Sequence, residues 1–217
     1  MAIKEFKTVI LSVGGIPTKD IDFLVKNKLE KYSDKLYLIY GFQAEPTPIN
    51  QNNLHKLQLL KERYNGFKIG FMDHSDGASE QAHYLPLLAV GAGVEIIEKH
   101  LTLDRCLELE DYVSALDSTS FKDFVKLIRT YEVAMGSKSL NLTDIEKEYF
   151  KKAVKVAIAE RNLKKGTKLD SSNVLFKRTS KQASEDNVVK ISDLIGKTLK
   201  SACDQNNPIL WSNLCEN

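Results

Sequence analysis

The segment from Phe67 to Arg105 contains two short apolar runs that flank an apolar helical stretch. The runs are Lys68–Met72 and Val94–Ile97, and the stretch between them is Ser79–Val90. Runs of four or five apolar residues are typical of buried strands, and the longer stretch is typical of a helix. The segment therefore predicts a strand–helix–strand unit with parallel strands, which places the chain in the α/β class of folds.

Each of these two predicted strands ends in a cluster of acidic and histidine residues. Asp73 and His74 follow the first run at once, and Glu98 and His100 follow the second. A right-handed crossover places the carboxyl ends of two parallel strands on the same edge of a sheet, where α/β folds carry their chemistry. We therefore expect His74 and His100 to share one site. Their ring nitrogens should lie within about 5 Å of each other if one metal ion binds both.

The same alternation of strand and helix occupies the rest of the first 136 residues. The further predicted elements are the strands Thr8–Val13 and Leu36–Tyr40, a helix with Thr18 as its N-cap, and the helices Asn53–Tyr64 and Ser120–Met135. Residues 1–136 thus hold four βα units, whereas an eight-stranded barrel takes about 250 residues. They make either half of a barrel, which something else must complete, or an open parallel sheet with two exposed edges.

The pattern of the chain changes after the last of these helices. Residues 137–152 are polar and predict a linker with one helical turn that begins at Thr143. In Val154–Ala159 one face is apolar, as in a half-exposed strand. A near-repeat aligns residues 207–214 with residues 167–174. We predict three regions, which are a partial barrel at 1–136, a linker at 137–152 and a small β-rich domain at 153–217.

The charge balance and the cysteine content limit the classes of partner and compartment. A formal net charge of +2 over 217 residues argues against a bulk polyanion, so we expect no nucleic-acid partner. No apolar stretch is long enough to cross a bilayer or to form the apolar region of a signal peptide. Three cysteines without a CxxC pair favour a reduced, cytoplasmic protein with no membrane partner.

Four stretches of the sequence together resemble one known family. GFMDHSDG and IIEKHLTLDR contain the two histidines, PTP follows the second strand, and NLKKGTKLDSSNVLFKR lies in the small domain. These stretches are similar to the sialic acid (N-acetylneuraminate) synthases and their nonulosonic acid synthase relatives. That family joins a TIM-type (βα) barrel to a small antifreeze-like domain, called the SAF domain. The resemblance implies the C-terminal half of the barrel followed by the SAF domain, because the family's first four strands have no counterpart in this sequence.

The resemblance also implies an activity. Enzymes of this family condense phosphoenolpyruvate with the open-chain aldehyde of an N-acetylated amino sugar, and a divalent metal, Mn²⁺ or Mg²⁺, polarises that aldehyde. Most groups that bind phosphoenolpyruvate belong to the absent strands, so we expect the isolated chain to be inactive. We expect it to form a homodimer or to associate with a missing N-terminal half. The alternative is a non-catalytic subunit whose SAF domain binds sugar or a partner chain.

Matched position by position, the resemblance assigns roles to individual residues. His74 and His100 correspond to the two metal ligands, and Glu98 and Asp111 correspond to catalytic acidic residues near the metal and its water. The residues assigned to the substrates are Ser12, Gln43, Glu45, Asp73 and Arg178. The last of these corresponds to an arginine that reaches the acyl group of the sugar in the partner subunit's site.

Two of these assignments have a structural alternative. Asp73 would cap the following loop as an Asx turn instead, and Glu98 would simply pair with Lys99 or Arg105. Two assignments also depart from the family pattern, because Gln43 and Glu45 stand where the family usually has an asparagine and a tyrosine on the sugar. The sequence therefore predicts the class of sugar and leaves the particular sugar open.

Overall fold

The chain divides into two units, which the computed structural model describes over residues 2–179 and 183–215. The larger unit comprises residues 1–137 and the smaller unit residues 138–217. Over the described ranges, no helix combines the length and the apolar character that a membrane span requires.

Four parallel strands alternate with helices in the larger unit. The strands are β1 (Val9–Ser12), β2 (Leu36–Tyr40), β3 (Lys68–Asp73) and β4 (Ile96–Lys99). The helices are α1 (Ala2–Glu5), α2 (Thr18–Leu24), α3 (His55–Arg63), α4 (Gln81–Gly91) and α5 (Ser118–Tyr131). The strands pair in chain order, β1-β2-β3-β4, and form a curled half-barrel sheet, which confirms the predicted fold class.

Most element boundaries differ from the predicted ones by one to four residues, and at two of them local backbone geometry overrides the sequence pattern. β4 begins at Ile96 rather than at Val94, since the amide of Val94 still donates to the carbonyl of Ala89 at the end of α4. Thr18 is the first residue of α2 rather than its N-cap. Pro17 takes the N-cap position, and no side chain caps this helix.

The strand register gives the half-barrel sheet two different faces. On one face Leu38 of β2 and Phe71 of β3 are fully buried. They belong to one apolar cluster with Leu57 of α3 and Ala89 of α4, so this face packs against the helices. Burial of these side chains supplies the main hydrophobic stabilisation of the larger unit.

The opposite face of the sheet is covered only in its middle. Ile39 and Met72, on the two central strands, are buried. Ile10 on β1 is 46% exposed, and Glu98 on β4 is also exposed. β1 and β4 are the edge strands of the sheet. Parallel strands with one open edge and an uncovered face are rarely stable alone, so this face needs a further partner layer.

The described residues of the smaller unit form one α-helix and a two-stranded antiparallel sheet. These elements are α6 (Asp144–Ala153), β5 (Val156–Ala159) and β6 (Val174–Lys177). The predicted single turn in the linker is a ten-residue helix, and it begins with the predicted capping box between Thr143 and Glu146. All four residues of β5 are buried, so the prediction of a half-exposed strand is wrong. The cause is that segments far along the chain cover both sides of β5, with Ala157 bonded to Val188 and to Ile209.

The near-repeat in the sequence corresponds to an internal two-fold relation in the smaller unit. Leu163 and Cys203, 40 positions apart, exchange both of their backbone hydrogen bonds, at 2.8 and 2.9 Å. The same shift of 40 relates three further pairs of backbone bonds. The bond Leu169 N–Lys197 O corresponds to Ile209 N–Ala157 O, and Leu199 N–Thr167 O corresponds to Ala159 N–Asn207 O. The third pair is Lys200 N–Asn213 O and Glu160 N–Asn173 O. The repeated segments therefore have matching backbone bonds, several of which cross from one half of the unit to the other.

Candidate metal and substrate site

The two histidines predicted to share a site lie side by side at the carboxyl edge of the half-barrel sheet. His74 directly follows β3 and His100 directly follows β4. Their ring centroids are 4.8 Å apart, and the ring planes meet at 68°. The expected juxtaposition is confirmed, and it follows from the register, because the parallel pairing of β3 with β4 brings their ends together.

Each of the two rings has a buried nitrogen without a hydrogen-bond partner. These atoms are Nδ1 of His74 and Nε2 of His100, and only one other buried side-chain atom of the described residues, Oγ1 of Thr102, shares this property. Burial lowers the pKa of His74, and the neighbouring His100 lowers it further. A neutral imidazole keeps a lone pair, and an unpartnered buried lone pair costs free energy unless a ligand occupies it.

The chemistry of this pair fits a divalent metal with open coordination positions. Neutral imidazole nitrogens are ligands for most divalent first-row metals. In the described part of the chain no group of three or more His, Cys, Asp or Glu side chains is arranged to hold a metal ion. A closed structural zinc site is therefore excluded for these residues, since it takes four protein donors. Two imidazoles leave room for water and for substrate oxygens.

Asp111 lies against the second histidine. Its Oδ2 atom is 3.5 Å from Nδ1 of His100, and the backbone of Asp111 has a φ of +61°. The neighbouring carboxyl group of Asp111 raises the pKa of Glu45. A carboxylate beside one ring nitrogen of a histidine orients the ring and leaves the other nitrogen free for a ligand. The structure thus brings together Glu45, Asp111, His100 and His74.

Asp73, which was assigned to the substrates, belongs to a buried ion pair instead. Nζ of Lys99 is 2.7 Å from Oδ2 of Asp73, and the two side chains are 1% and 0% exposed. Ser75 donates its amide to Oδ1 and its hydroxyl to Oδ2 of Asp73, both at 3.0 Å. This is the Asx turn named above as the alternative. Both oxygens of Asp73 are occupied, so its geometry supports the strand ends and does not fit contact with a substrate.

The remaining residues assigned to the large unit lie on the uncovered face of the sheet. Ser12, at the end of β1, and Gln43, after β2, are exposed, and Nε2 of Gln43 is 4.0 Å from the sulfur of Met72. Glu98 is exposed and lies opposite Met72 in the register. The alternative in which Glu98 pairs with Lys99 is wrong, because Lys99 pairs with Asp73. Exposure leaves Ser12, Gln43 and Glu98 accessible to a ligand.

A single carbonyl group ties together the two loops that carry Glu45 and Asp111. The carbonyl oxygen of His74 accepts a hydrogen bond from the amide of Thr47 at 2.8 Å and from the hydroxyl of Ser114 at 2.9 Å. Thr47 and Ser114 are 2% and 0% exposed. Sequence reasoning missed both residues, since a buried hydroxyl that bonds a backbone carbonyl leaves no signal in composition or periodicity.

Arg178 belongs to the smaller unit and follows β6. Its Nε atom donates to the carbonyl of Ala153 at 2.9 Å, and the residue is exposed. This bond joins the end of β6 to the end of α6 within one unit. The assignment of Arg178 to a sugar in a partner subunit's site stays a prediction.

The fold and the site together define a class: a half-barrel protein with a paired-histidine site at the carboxyl ends of its strands, followed by a small β-rich unit. Residues 1–140 match the NeuB family, and residues 154–214 match the SAF domain. The first of these matches covers more than half of the chain. The chain belongs to the NeuB family, as its sequence motifs predicted.

Three similar proteins show how much of a whole family member is present. A pseudaminic acid synthase of Campylobacter jejuni subsp. jejuni is 31% identical over 82% of this chain and 50% of its own length. The crystal structure of an N-acetylneuraminic acid synthetase from Leptospira borgpetersenii is 32% identical, with a TM-score of 0.60 over 69% of this chain and 50% of that one. A structure described as spore coat polysaccharide biosynthesis protein E from Chromobacterium violaceum has a TM-score of 0.77 over 99% of this chain and 62% of that one, at 21% identity. The chain thus spans 50% to 62% of the length of these proteins.

Proposed function

We propose that this chain supplies the metal-binding half of a synthase site that condenses phosphoenolpyruvate with an N-acetylated amino sugar. The observation that carries the proposal is the pair of buried, unpartnered nitrogens on His74 and His100, whose ring centroids are 4.8 Å apart. Similar proteins that are named pseudaminic acid synthase and N-acetylneuraminic acid synthetase support the class of reaction.

In the proposed reaction the methylene carbon of phosphoenolpyruvate bonds to the aldehyde carbon of the sugar. Water adds to the carbon that carries the phosphate, and inorganic phosphate leaves. Mn²⁺ or Mg²⁺, when bound, would supply Lewis-acid polarisation of the aldehyde. His74 and His100 would hold the ion, Asp111 would orient His100, and Glu98 would hold the attacking water. Ser12 would contact phosphoenolpyruvate, and Gln43 and Glu45 would contact the sugar.

The anionic substrate requires cationic donors that this edge of the sheet does not offer. Phosphate and carboxylate groups are bound best by arginine, lysine and clustered amides. Of the described cations near the histidines, Lys99 is paired with Asp73, and Arg105 is bonded to carbonyl groups and Asp76. We therefore propose that a second set of four βα units completes the barrel and brings the missing donors.

The uncovered face of the half-barrel sheet predicts association in solution. Ile10 on the edge strand β1 is 46% exposed, and a second half-barrel would bury it. We expect the purified chain to be a dimer or a larger species, because an exposed parallel edge beside an apolar face favours association. Multi-angle light scattering at several concentrations would measure this. A monomer that persists at high concentration would contradict the need for a partner layer.

Phosphate release tests the proposed reaction directly. With Mn²⁺, phosphoenolpyruvate and N-acetylmannosamine, we expect no steady release of inorganic phosphate from the isolated chain. Release should begin when the chain is co-expressed with four further βα units, such as those that an adjoining reading frame would encode. In that enzyme Arg178→Lys should raise the KM for the sugar by about tenfold, because lysine lacks the planar fork of a guanidinium. Release by the chain alone would contradict the role given to the second half.

A further inference from the structure

The guanidinium group of Arg105 lies inside the loop that follows His100 and donates hydrogen bonds to several carbonyl groups of that loop. Its Nη1 atom donates to the carbonyl oxygens of Tyr112 at 2.7 Å, of Val113 at 3.1 Å and of Ala115. Its Nη2 atom is 3.5 Å from Oδ1 of Asp76. One side chain thus holds three carbonyls of a four-residue turn and also reaches the loop that follows His74.

The neighbouring backbone is shaped to admit this guanidinium. The amide of Gly77 donates to the carbonyl of Val113 at 2.8 Å, which joins the loop after His74 to the loop after His100. A Cβ atom on Gly77 would lie 2.4 Å from Nη1 of Arg105 and 2.1 Å from the carbonyl oxygen of Ala115. Only glycine allows this close approach, so the two loops and the guanidinium form one packed arrangement.

The held turn begins at the residue next to Asp111. Asp111 has a φ of +61°, in the left-handed region that is uncommon for residues other than glycine and that aspartate adopts more readily than most. The carbonyl groups of the next two residues, Tyr112 and Val113, are both bonded to Arg105. Arg105 therefore holds the turn that directly follows Asp111, together with the bond from the hydroxyl of Ser114 to the carbonyl of His74.

We propose that Arg105 is a positioning residue for the paired-histidine site. It holds Asp111 at Nδ1 of His100, which keeps the proton of the ring on Nδ1 and leaves Nε2 of His100 free to bind a metal ion. This inference rests on the proposed function for the identity of the ligand, and on the contacts above for the geometry. A lysine would not replace Arg105, because its single nitrogen cannot bond the three carbonyls at the place of Nη1 and also reach Asp76 as Nη2 does.

Mn²⁺ affinity of the 217-residue chain, measured by electron paramagnetic resonance, tests the proposal. Arg105→Ala should weaken Mn²⁺ binding by about tenfold, which is the low end of the effect of losing a group that supports a ligand. Arg105→Lys should also weaken it, and added guanidinium ion should restore part of the affinity of Arg105→Ala. The matched control is Arg129→Ala, an exposed arginine of α5 whose loss should leave Mn²⁺ binding unchanged.

A double-mutant cycle separates positioning from general support of the fold. Asp111→Asn should weaken Mn²⁺ binding by about the same factor as Arg105→Ala. If Arg105 acts through Asp111, the double variant should bind no more weakly than either single variant. Losses that multiply in the double variant would contradict the proposal, as would unchanged affinity in Arg105→Ala.

The tautomer of His100 gives a readout that does not depend on metal. Long-range ¹H–¹⁵N spectra of the wild-type chain should show the proton of His100 on Nδ1, and those of Arg105→Ala should show a mixture of tautomers. If the wild-type chain binds no Mn²⁺, the proposed function fails, and the tautomer still tests the role of Arg105. If the wild type binds Mn²⁺ and the tautomer is the same in both proteins, the role of Arg105 is wrong and the proposed function stands.

Discussion

Replacing His74 by alanine is expected to weaken Mn²⁺ binding by about 100-fold or more. The substitution removes one of the two proposed protein ligands, and loss of a supporting group alone typically costs 10–100-fold. In a completed enzyme the same variant should also lose phosphate release, since the aldehyde would no longer be polarised. The measurement is Mn²⁺ titration of the chain, followed by paramagnetic broadening of its histidine signals.

The chain contains its own controls for this experiment. It has four histidines, and the other two besides the pair are His55 and His83. His83 lies on α4 with its ring 6.3 Å from that of Phe124. His83→Ala and His55→Ala should leave Mn²⁺ binding within about twofold of the wild type, because neither ring is part of the paired site. Equal binding by His74→Ala and His83→Ala would remove the basis of the proposed function.

Replacing Lys99 by methionine is expected to lower the free energy of unfolding by about 3–5 kcal/mol, the typical cost of breaking a buried ion pair. The Asp73 carboxylate would stay buried, with the hydrogen bonds from Ser75 but without a counter-charge. Little water reaches this pair, since the two side chains are 1% and 0% exposed, and burial lowers the pKa of Lys99. Urea denaturation, monitored by far-UV circular dichroism, would measure the loss of free energy of unfolding.

Two further variants separate the ion pair from the effect of losing any basic residue. Adding Asp73→Asn to Lys99→Met removes the buried charge, and the double variant should recover at least about 1 kcal/mol. Arg129→Met, which breaks an exposed ion pair with Glu132, should change the free energy of unfolding by less than about 1 kcal/mol. An unfolding midpoint of Lys99→Met equal to that of the wild type would show that the pair does not stabilise the fold.

The apolar pattern predicts four βα units, and the resemblance of the motifs to the family implies the half-barrel rather than an open sheet. Strand existence follows from apolar runs such as Leu36–Tyr40, and this strand has the predicted bounds. The start of β4 does not follow in the same way, because Val94 is apolar and yet belongs to the end of α4 through its bond to Ala89. A run of apolar residues reports burial, and burial alone does not say where pairing between strands begins.

The sequence analysis placed the two histidines together because each directly follows a strand. It missed the ion pair between Asp73 and Lys99, which lie opposite each other in the strand register. His74 and His100 are 26 positions apart, and so are Asp73 and Lys99. That equal spacing was a usable signal, because the register that joins the histidines also joins the acid to the lysine. The sequence contains no comparable signal for the proposed role of Arg105, because its partners are mainly backbone carbonyl groups, which every residue has.

The two-fold relation in the smaller unit has a consequence for how this unit folds. Most of the matched backbone bonds, such as the exchange between Leu163 and Cys203, join residues 28 to 52 positions apart, one in each repeated half. Each half leaves these amides and carbonyls for the other half to bond, so neither half is complete in isolation. Long loops must close before these bonds can form, and closing them costs the unfolded chain conformational entropy. The smaller unit should therefore assemble in one cooperative and comparatively slow step, with both segments ordered together or not at all.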